Sequence, residues 1–69
     1  MLKVERQSVI LEELRSHNKV ISSKLCEILQ VSEDTIRRDL SELEDKGQLK
    51  KVHGGAITLS FIPSFKRLA

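Results

Sequence analysis

The chain has 69 residues, of which 39% are hydrophobic and 32% charged, and its formal net charge is +2. This length accommodates one small domain with a single modest core and excludes a deep catalytic cavity. No apolar run approaches the roughly 18 residues that a membrane-spanning helix needs. A single cysteine, Cys26, excludes an internal disulfide and a cysteine zinc site. Because the N-terminus has no signal-peptide core, we expect a cytoplasmic protein.

Residues 3–17 are predicted to form the first helix, because Ile10 and Leu14 recur at helical spacing beside polar positions. Asn18 should end it, since asparagine tolerates the left-handed conformation found at helix ends. The β-branched pair at residues 20–21 predicts a very short strand. The second helix should then begin.

That second helix is predicted over residues 24–29, with Ser22 or Ser23 as its N-terminal cap. Residues 30–31 should form the turn that follows it. A tight turn with an apolar valine between two helices is typical of a helix-turn-helix.

The third helix is predicted over residues 33–46, with Ser32 as its cap and Gly47 just past its end. One side is apolar at i, i+4 and i+7, and it should face the core. The opposite side is polar, and it comprises Asp34, Arg37, Arg38 and Ser41.

Residues 49–53 and 56–59 are predicted to form a β-hairpin, with Gly54 and Gly55 as its turn. Lys51 and His53 should lie near the tip. Residues 47–69 contain four basic residues and no acidic ones, which indicates an anionic partner. Residues 60–69 show no compact pattern, although they contain both aromatic residues.

The predicted core consists of the apolar residues that these patterns turn inward. They are Ile10, Leu14, Leu25, Ile28, Leu29, Val31, Ile36, Leu40, Leu43, Leu49, Val52 and Ile57.

The run VSEDTIRRDLSELEDKGQLKKVHGGA at residues 31–56 resembles the N-terminal domain of DeoR-family bacterial transcriptional repressors. Two motifs carry the resemblance, TIRRDL at 35–40 and VHGGA at 52–56, and together they are far more specific than either alone. The resemblance covers roughly residues 3–58. It implies a winged helix-turn-helix, mainly α with a small β-hairpin, that reads double-stranded DNA with its third helix.

The resemblance also implies the organisation of the chain. Residues 1–59 would be the DNA-binding domain, and residues 60–69 a linker toward a missing effector-binding domain. That domain would bind a sugar-phosphate-like effector, and the full-length regulator would be a homo-oligomer. Gln30 stands where the family usually has glycine, at a cost of about 1 kcal/mol for a left-handed residue. Lys51 replaces the usual arginine, and Cys26 replaces an alanine, so we expect it to be a small buried residue.

Arg37 and Arg38 are the principal candidates for DNA contact, because arginine suits guanine O6 and N7 or a phosphate. Which of them reads bases stays open, and either could instead pair with Asp34 or Asp39. Thr35 could contact DNA or simply be solvated. The full set of candidates is Arg6, Ser22, Ser23, Lys24, Ser32, Asp34, Thr35, Arg37, Arg38, Ser41, Lys51 and His53.

The outlying candidates have alternative roles as well. Arg6 and Lys24 lie near helix starts and could contact phosphates, as could the hydroxyls or N–H groups of residues 22–23. His53 could contact DNA or hold the turn. A winged helix could also serve as a protein-interaction or RNA-binding module, although RNA readers commonly need aromatic platforms. No nucleophile–base pair or phosphate loop is present, so we expect no enzyme, metal or cofactor.

Overall fold

The computed structural model describes residues 1–59 as three helices and three short strands. Their bounds are α1 Lys3–His17, β1 Lys19–Ile21, α2 Ser22–Leu29, α3 Glu33–Asp45, β2 Lys50–Val52 and β3 Gly55–Ile57. The predicted winged helix-turn-helix is therefore confirmed. The predicted linker at residues 60–69 lies outside the described residues. No helix within residues 1–59 is long and apolar enough to cross a membrane.

The helix ends follow the local signals closely. Asn18 and Gln30 end α1 and α2 in the left-handed region, with φ of 66° and 55°. Gly47, with φ of 74°, follows α3. Its N–H donates to the Glu44 carbonyl at 2.9 Å, and the next N–H, of Gln48, donates to Leu43 at 3.0 Å. These two hydrogen bonds satisfy backbone carbonyls at the end of the helix.

The predicted start of α2 is wrong. The helix begins at Ser22 rather than residue 24, and Ile21 is its N-cap without a side-chain hydrogen bond. The Ser22 N–H donates to the Gly54 carbonyl at 2.8 Å. A backbone group of the wing therefore satisfies this N–H, and Ser23 lies in the first turn instead of capping it.

The sheet has one strand more than the predicted hairpin. Its order is β1-β3-β2, and both pairs are antiparallel. Val20 of β1 and Lys51 of β2 are both opposite Ala56 of β3. The strand predicted at residues 20–21 is thus part of the wing sheet. It connects the wing to the segment between α1 and α2.

The two glycines of the wing have different roles. The turn consists of His53 and Gly54, and Gly55 is the first residue of β3, so the predicted Gly54-Gly55 turn is wrong by one residue. Gly54 has φ of 84°, a conformation that side chains disfavour. A Cβ on Gly55 would overlap the carbonyl oxygen of Val20. Gly55 therefore permits the close approach of β1 and β3.

The core contains most of the predicted residues. It consists of Ile10, Leu14, Val20, Leu25, Ile36, Leu40, Leu43, Leu49 and Ala56, with Leu29 and Val31 packed at its margin. Ile57 is half-buried. Val20 and Ala56 were missed, because their burial depends on the pairing of β1 with β3.

Two predicted core residues are exposed. Ile28 is 54% exposed, because α2 turns Leu25, Cys26 and Leu29 toward the core and leaves Ile28 at the side. Val52 is 41% exposed, because alternation along β2 puts it on the side opposite half-buried Lys51. An apolar residue in a strand of three residues does not by itself reveal which side is buried.

We expect Gly55→Ala to destabilise the fold more than Gly54→Ala. The first change forces two strand backbones apart, which should cost about 3 kcal/mol or more. The second introduces a methyl group into open space at positive φ, which should cost about 1–2 kcal/mol. Urea unfolding followed by circular dichroism measures both. Equal losses would contradict the role assigned to Gly55.

Candidate nucleic-acid interface

The start of α3 is organised by its cap. The Ser32 hydroxyl accepts a hydrogen bond from the Thr35 N–H at 3.2 Å and lies 3.1 Å from the Thr35 hydroxyl. The predicted capping role of Ser32 is confirmed. Glu33 and Asp34 occupy the first turn, where negative charge suits the helix dipole.

A buried carboxylate connects α3 to α1. Asp39 is 2% exposed, and both of its oxygens accept hydrogen bonds from Arg6, from Nη2 to Oδ1 at 3.0 Å and from Nε to Oδ2. The hydrogen bond with Asp39 is the main reason that the pKa of Arg6 is raised. Only 14% of the Arg6 side chain is exposed. The structure therefore engages Arg6, predicted to contact a phosphate, in an ion pair within the domain.

Two further residues of this network were missed from the sequence. Gln7 is buried, and its amide donates to Asp39 Oδ1 at 3.3 Å and to Glu42 Oε1 at 3.0 Å. Glu42 also accepts from Lys3 Nζ at 3.1 Å. These hydrogen bonds lower the pKa of Glu42, and the one from Gln7 has the largest effect. A glutamine at a core-facing helical position gives only a weak sequence signal, because glutamine is ordinarily solvated.

The two adjacent arginines differ in their partners. Arg37 Nη1 donates to Asp34 Oδ1 at 2.9 Å, and Arg37 Nη2 lies 4.0 Å from Glu33 Oε1. The alternative that Asp34 pairs with one of the two arginines is confirmed, while Asp39 pairs with Arg6 instead. The Arg38 side chain is exposed and makes no hydrogen bond or ion pair with any residue of 1–59.

The wing is held directly against α3. Lys51 Nζ donates to the Ser41 hydroxyl at 2.9 Å, and the Lys51 N–H donates to Glu44 Oε2 at 3.0 Å. Glu44 thereby satisfies a backbone donor at the outer edge of the sheet. At the other end of the wing, the Gly54 carbonyl accepts a hydrogen bond from the Ser22 N–H at the start of α2. The wing and α3 therefore form one rigid surface.

Three neighbouring grooves cross this surface. One runs along α3 beside Lys51, a second of about 490 Å³ lies between α3, the wing and the start of α2, and a third lies between α1 and α3. Arg37 lines the first two and Arg38 lines the first and third. Together the grooves are lined by most of the predicted site residues, namely Arg6, Ser22, Asp34, Thr35, Arg37, Arg38, Ser41, Lys51 and His53.

Three predicted residues do not line these grooves. Ser32 is engaged in its cap, and Ser23 is exposed on α2. Lys24 lines a different groove between α1, β1 and α2, together with Ile21 and Ile28. Proximity to a helix start did not reveal on which side of that helix the lysine lies.

The single cysteine of the chain contributes to the packing of the core. Cys26 is half-buried and packs against the core, and burial raises the pKa of its thiol. In the part of the chain that the structure describes, no group of three or more His, Cys, Asp or Glu residues is arranged to hold a metal ion.

Comparison with known proteins identifies a family for this arrangement. The model of the DeoR-like helix-turn-helix domain matches residues 6–60. The chain is 48% identical over 62 residues to the uncharacterized HTH-type transcriptional regulator FruR of Bacillus subtilis (strain 168), covering 90% of this chain and 25% of that protein. No solved structure gives a significant match.

Two other relatives are similar to the same part of the chain. The HTH-type transcriptional regulator GolR of Listeria innocua is 51% identical over 59 residues, covering 86% of this chain and 23% of that protein. The HTH-type transcriptional repressor GlcR of Bacillus subtilis (strain 168) is 44% identical over 57 residues, covering 83% and 22%. The chain thus spans about a quarter of the length of these relatives.

We expect Asp39→Ala to destabilise the domain by about 2–4 kcal/mol, because it leaves the mostly buried Arg6 without its counter-charge. Glu12→Gln is the matched control. It breaks an exposed pair with Arg15, whose side chains are 72% and 73% exposed, and should cost less than about 0.5 kcal/mol. Thermal unfolding of the two variants makes the comparison, and losses of similar size would contradict a structural role for the Arg6–Asp39 pair.

The lowered pKa of Glu42 predicts a pH dependence of stability. A carboxylate whose pKa is lower in the folded state stabilises the fold above its unfolded pKa, and this contribution disappears as the pH falls through the folded pKa. Between about pH 6 and about pH 3, Glu42→Gln should therefore lose less stability than the unsubstituted chain. Urea unfolding at a series of pH values measures this, and parallel curves would contradict it.

Proposed function

The chain belongs to the family of DeoR-like helix-turn-helix domains, and on that premise we propose that it binds specific sequences in double-stranded DNA as part of a bacterial transcriptional regulator. GlcR, one of the similar proteins, is named a transcriptional repressor. We propose the same mode of action here, in which occupying a promoter blocks transcription.

The observation that carries this proposal is the rigid surface formed by α3 and the wing. The 13 residues of α3 have their apolar side in the core and their polar side exposed, and the major groove admits one α-helix. In the proposed complex, α3 enters the major groove. The wing, held beside it by the contact of Lys51 with Ser41, rests on the backbone or the adjacent minor groove.

The contacts of individual residues suggest their roles. Arg38 has its whole guanidinium available, since it has no partner among residues 1–59, and Thr35 is close by in the same groove. Lys51 donates one of its three ammonium protons to Ser41 and keeps the others for a phosphate. At the exposed turn, Gly54 has no neighbour within 4 Å of a Cβ position, so its backbone can approach DNA closely beside His53.

The remaining candidates have supporting roles in this proposal. Ser22 and Ser23, at the start of α2, offer their hydroxyls to the phosphates, and Ser23 also its N–H, since the N–H of Ser22 is engaged by Gly54. Lys24 acts from the flank of α2, Ser32 orders the end of α3 that meets the bases, and Arg6 fixes α3 through Asp39. Asp34 and Ser41 lie beside the arginines.

The rest of the regulator is proposed from the family resemblance. Residues 60–69 would link the DNA-binding domain at residues 1–59 to an effector-binding domain that takes a sugar-phosphate-like ligand, in a homo-oligomeric and cytoplasmic protein. A dimer would contact two half-sites, so the isolated domain should bind one half-site weakly.

DNA binding is tested by fluorescence anisotropy with duplexes tiled across the promoter of the gene that encodes this chain. A scrambled duplex and an RNA hairpin serve as controls, and salt is varied from about 50 to 200 mM. We expect one tile to bind more tightly than the scramble, with affinity falling steeply as salt rises. Weak, salt-independent binding to every ligand would overturn the proposal and favour a protein-interaction module, whereas preference for the hairpin would favour an RNA reader.

Replacing either arginine of α3 should weaken binding to the preferred tile. Arg37→Ala or Arg38→Ala should lose about 1–3 kcal/mol of specific binding if that residue makes a bidentate base contact, and an equal, mild loss on all sequences would instead indicate a phosphate contact. Arg15→Ala is the control, because it removes the same charge from a different groove, beside Leu11 and Thr58. If neither α3 variant binds more weakly than this control, the assignment of α3 as the reading helix is wrong.

A further inference from the structure

Only one of the two adjacent arginines of α3 is held by a carboxylate. Asp34 lies one helical turn before Arg37, and Oδ1 of Asp34 accepts from Nη1 of Arg37 at 2.9 Å. Glu33 is farther away, at 4.0 Å from Nη2 of Arg37. Arg38 has no such partner within residues 1–59. The two guanidinium groups therefore differ in how freely they move before any DNA is bound.

The Asp34–Arg37 pair has little to contribute to folding. Its side chains are 71% and 62% exposed, and exposed ion pairs on a helix are screened by water and salt. Its principal consequence is to restrict the rotamers of Arg37. A long side chain that is already ordered loses less entropy when it binds, so the restriction favours binding in the held geometry.

The hydrogen bond leaves the reading edge of Arg37 available. A guanidinium has five N–H donors, and Asp34 engages one on Nη1. The edge formed by Nε and Nη2 makes no hydrogen bond to any residue of 1–59, and its only ion pair there is the long one of 4.0 Å between Nη2 and Glu33. Two parallel donors of this kind match O6 and N7 of guanine. Arg37 also lines both the groove along α3 and the groove beside the wing.

We propose that Asp34 is a positioning residue for sequence readout, which holds Arg37 so that its free edge faces a guanine. This inference rests on the proposed DNA binding and assigns the base-reading role to Arg37. Asp34 then determines specificity rather than general affinity. As a negative charge near DNA it also repels phosphates, so its removal acts in opposite directions on specific and on non-specific binding.

The test is Asp34→Asn, measured by fluorescence anisotropy on the preferred promoter tile and on the scrambled duplex at about 100 mM salt. We expect the ratio of the two affinities to fall roughly two- to tenfold, because asparagine offers Arg37 only a neutral acceptor, and the weaker hydrogen bond restricts that long side chain less. Binding to the scrambled duplex should stay equal or become tighter. Asp34→Glu, which keeps a carboxylate within reach of Arg37, should retain most of the ratio.

Glu33→Gln is the matched control. It removes the same charge from the same turn of α3 and only the 4.0 Å ion pair with Nη2, but leaves the 2.9 Å contact in place, so the affinity ratio should change less than with Asp34→Asn. In an Arg37→Ala background, Asp34→Asn should cause no further loss, because the group that it positions is absent. Thermal unfolding checks that Asp34→Asn and Glu33→Gln are equally folded.

The inference is overturned if Asp34→Asn leaves the ratio unchanged, or if it lowers the ratio equally with and without Arg37. Both results would be obtained with an unsubstituted chain that still prefers its tile, so they differ from failure of the proposed function. If the proposed function failed, the unsubstituted chain itself would not distinguish the tile from the scramble.

Discussion

The ion pair between Arg6 and Asp39 is the constraint on which the surface formed by α3 and the wing depends. A carboxylate that is 2% exposed requires a counter-charge and hydrogen bonds, because burying an uncompensated charge costs several kcal/mol. Arg6 and Gln7 of α1 supply both. Since their donors must reach Asp39, the rotation of α3 about its axis is tied to α1. That rotation decides which side chains of α3 lie outside the core.

The apolar packing acts in the same direction. Ile36, Leu40 and Leu43 are almost fully buried on the side of α3 adjacent to Asp39, within one cluster with Ile10 and Leu14 of α1. The polar network is directional and the apolar contacts are not, so the network supplies the angular precision that apolar packing alone lacks. Arg37 and Arg38 point outward as a consequence of both.

The wing depends on a second set of constraints. Gly55 allows β1 to pack against β3, and the wing is attached to α2 and α3 by the bond from Ser22 to Gly54 and by the contacts of Lys51. A surface built from separate elements binds DNA with less loss of entropy if those elements are already fixed. Acidic residues hold several of the cations, as Asp34 holds Arg37, which accords with readout of sequence rather than indiscriminate attraction to phosphates.

The sequence by itself determined the features that depend on neighbouring residues. Asn18 and Gly47 end their helices, Ser32 begins α3, and the spacing of Ile36, Leu40 and Leu43 assigns the two sides of α3. These features follow from backbone conformational preference, from an N-cap that bonds to the residue three positions later, and from helical periodicity. All three act within one or two helical turns. The polar side of α3 could be predicted for the same reason.

Only the tertiary structure decided the pairings between distant parts of the chain. Arg6 and Asp39 are 33 residues apart, and no local pattern indicates that this arginine is engaged within the domain. The pairing of β1 with β3, the need for glycine at position 55 and the exposure of Ile28 and Val52 likewise depend on which surfaces meet. Local propensity specifies how a segment folds, but burial and ion pairing are properties of the contact between segments, and these exist only once the chain has packed.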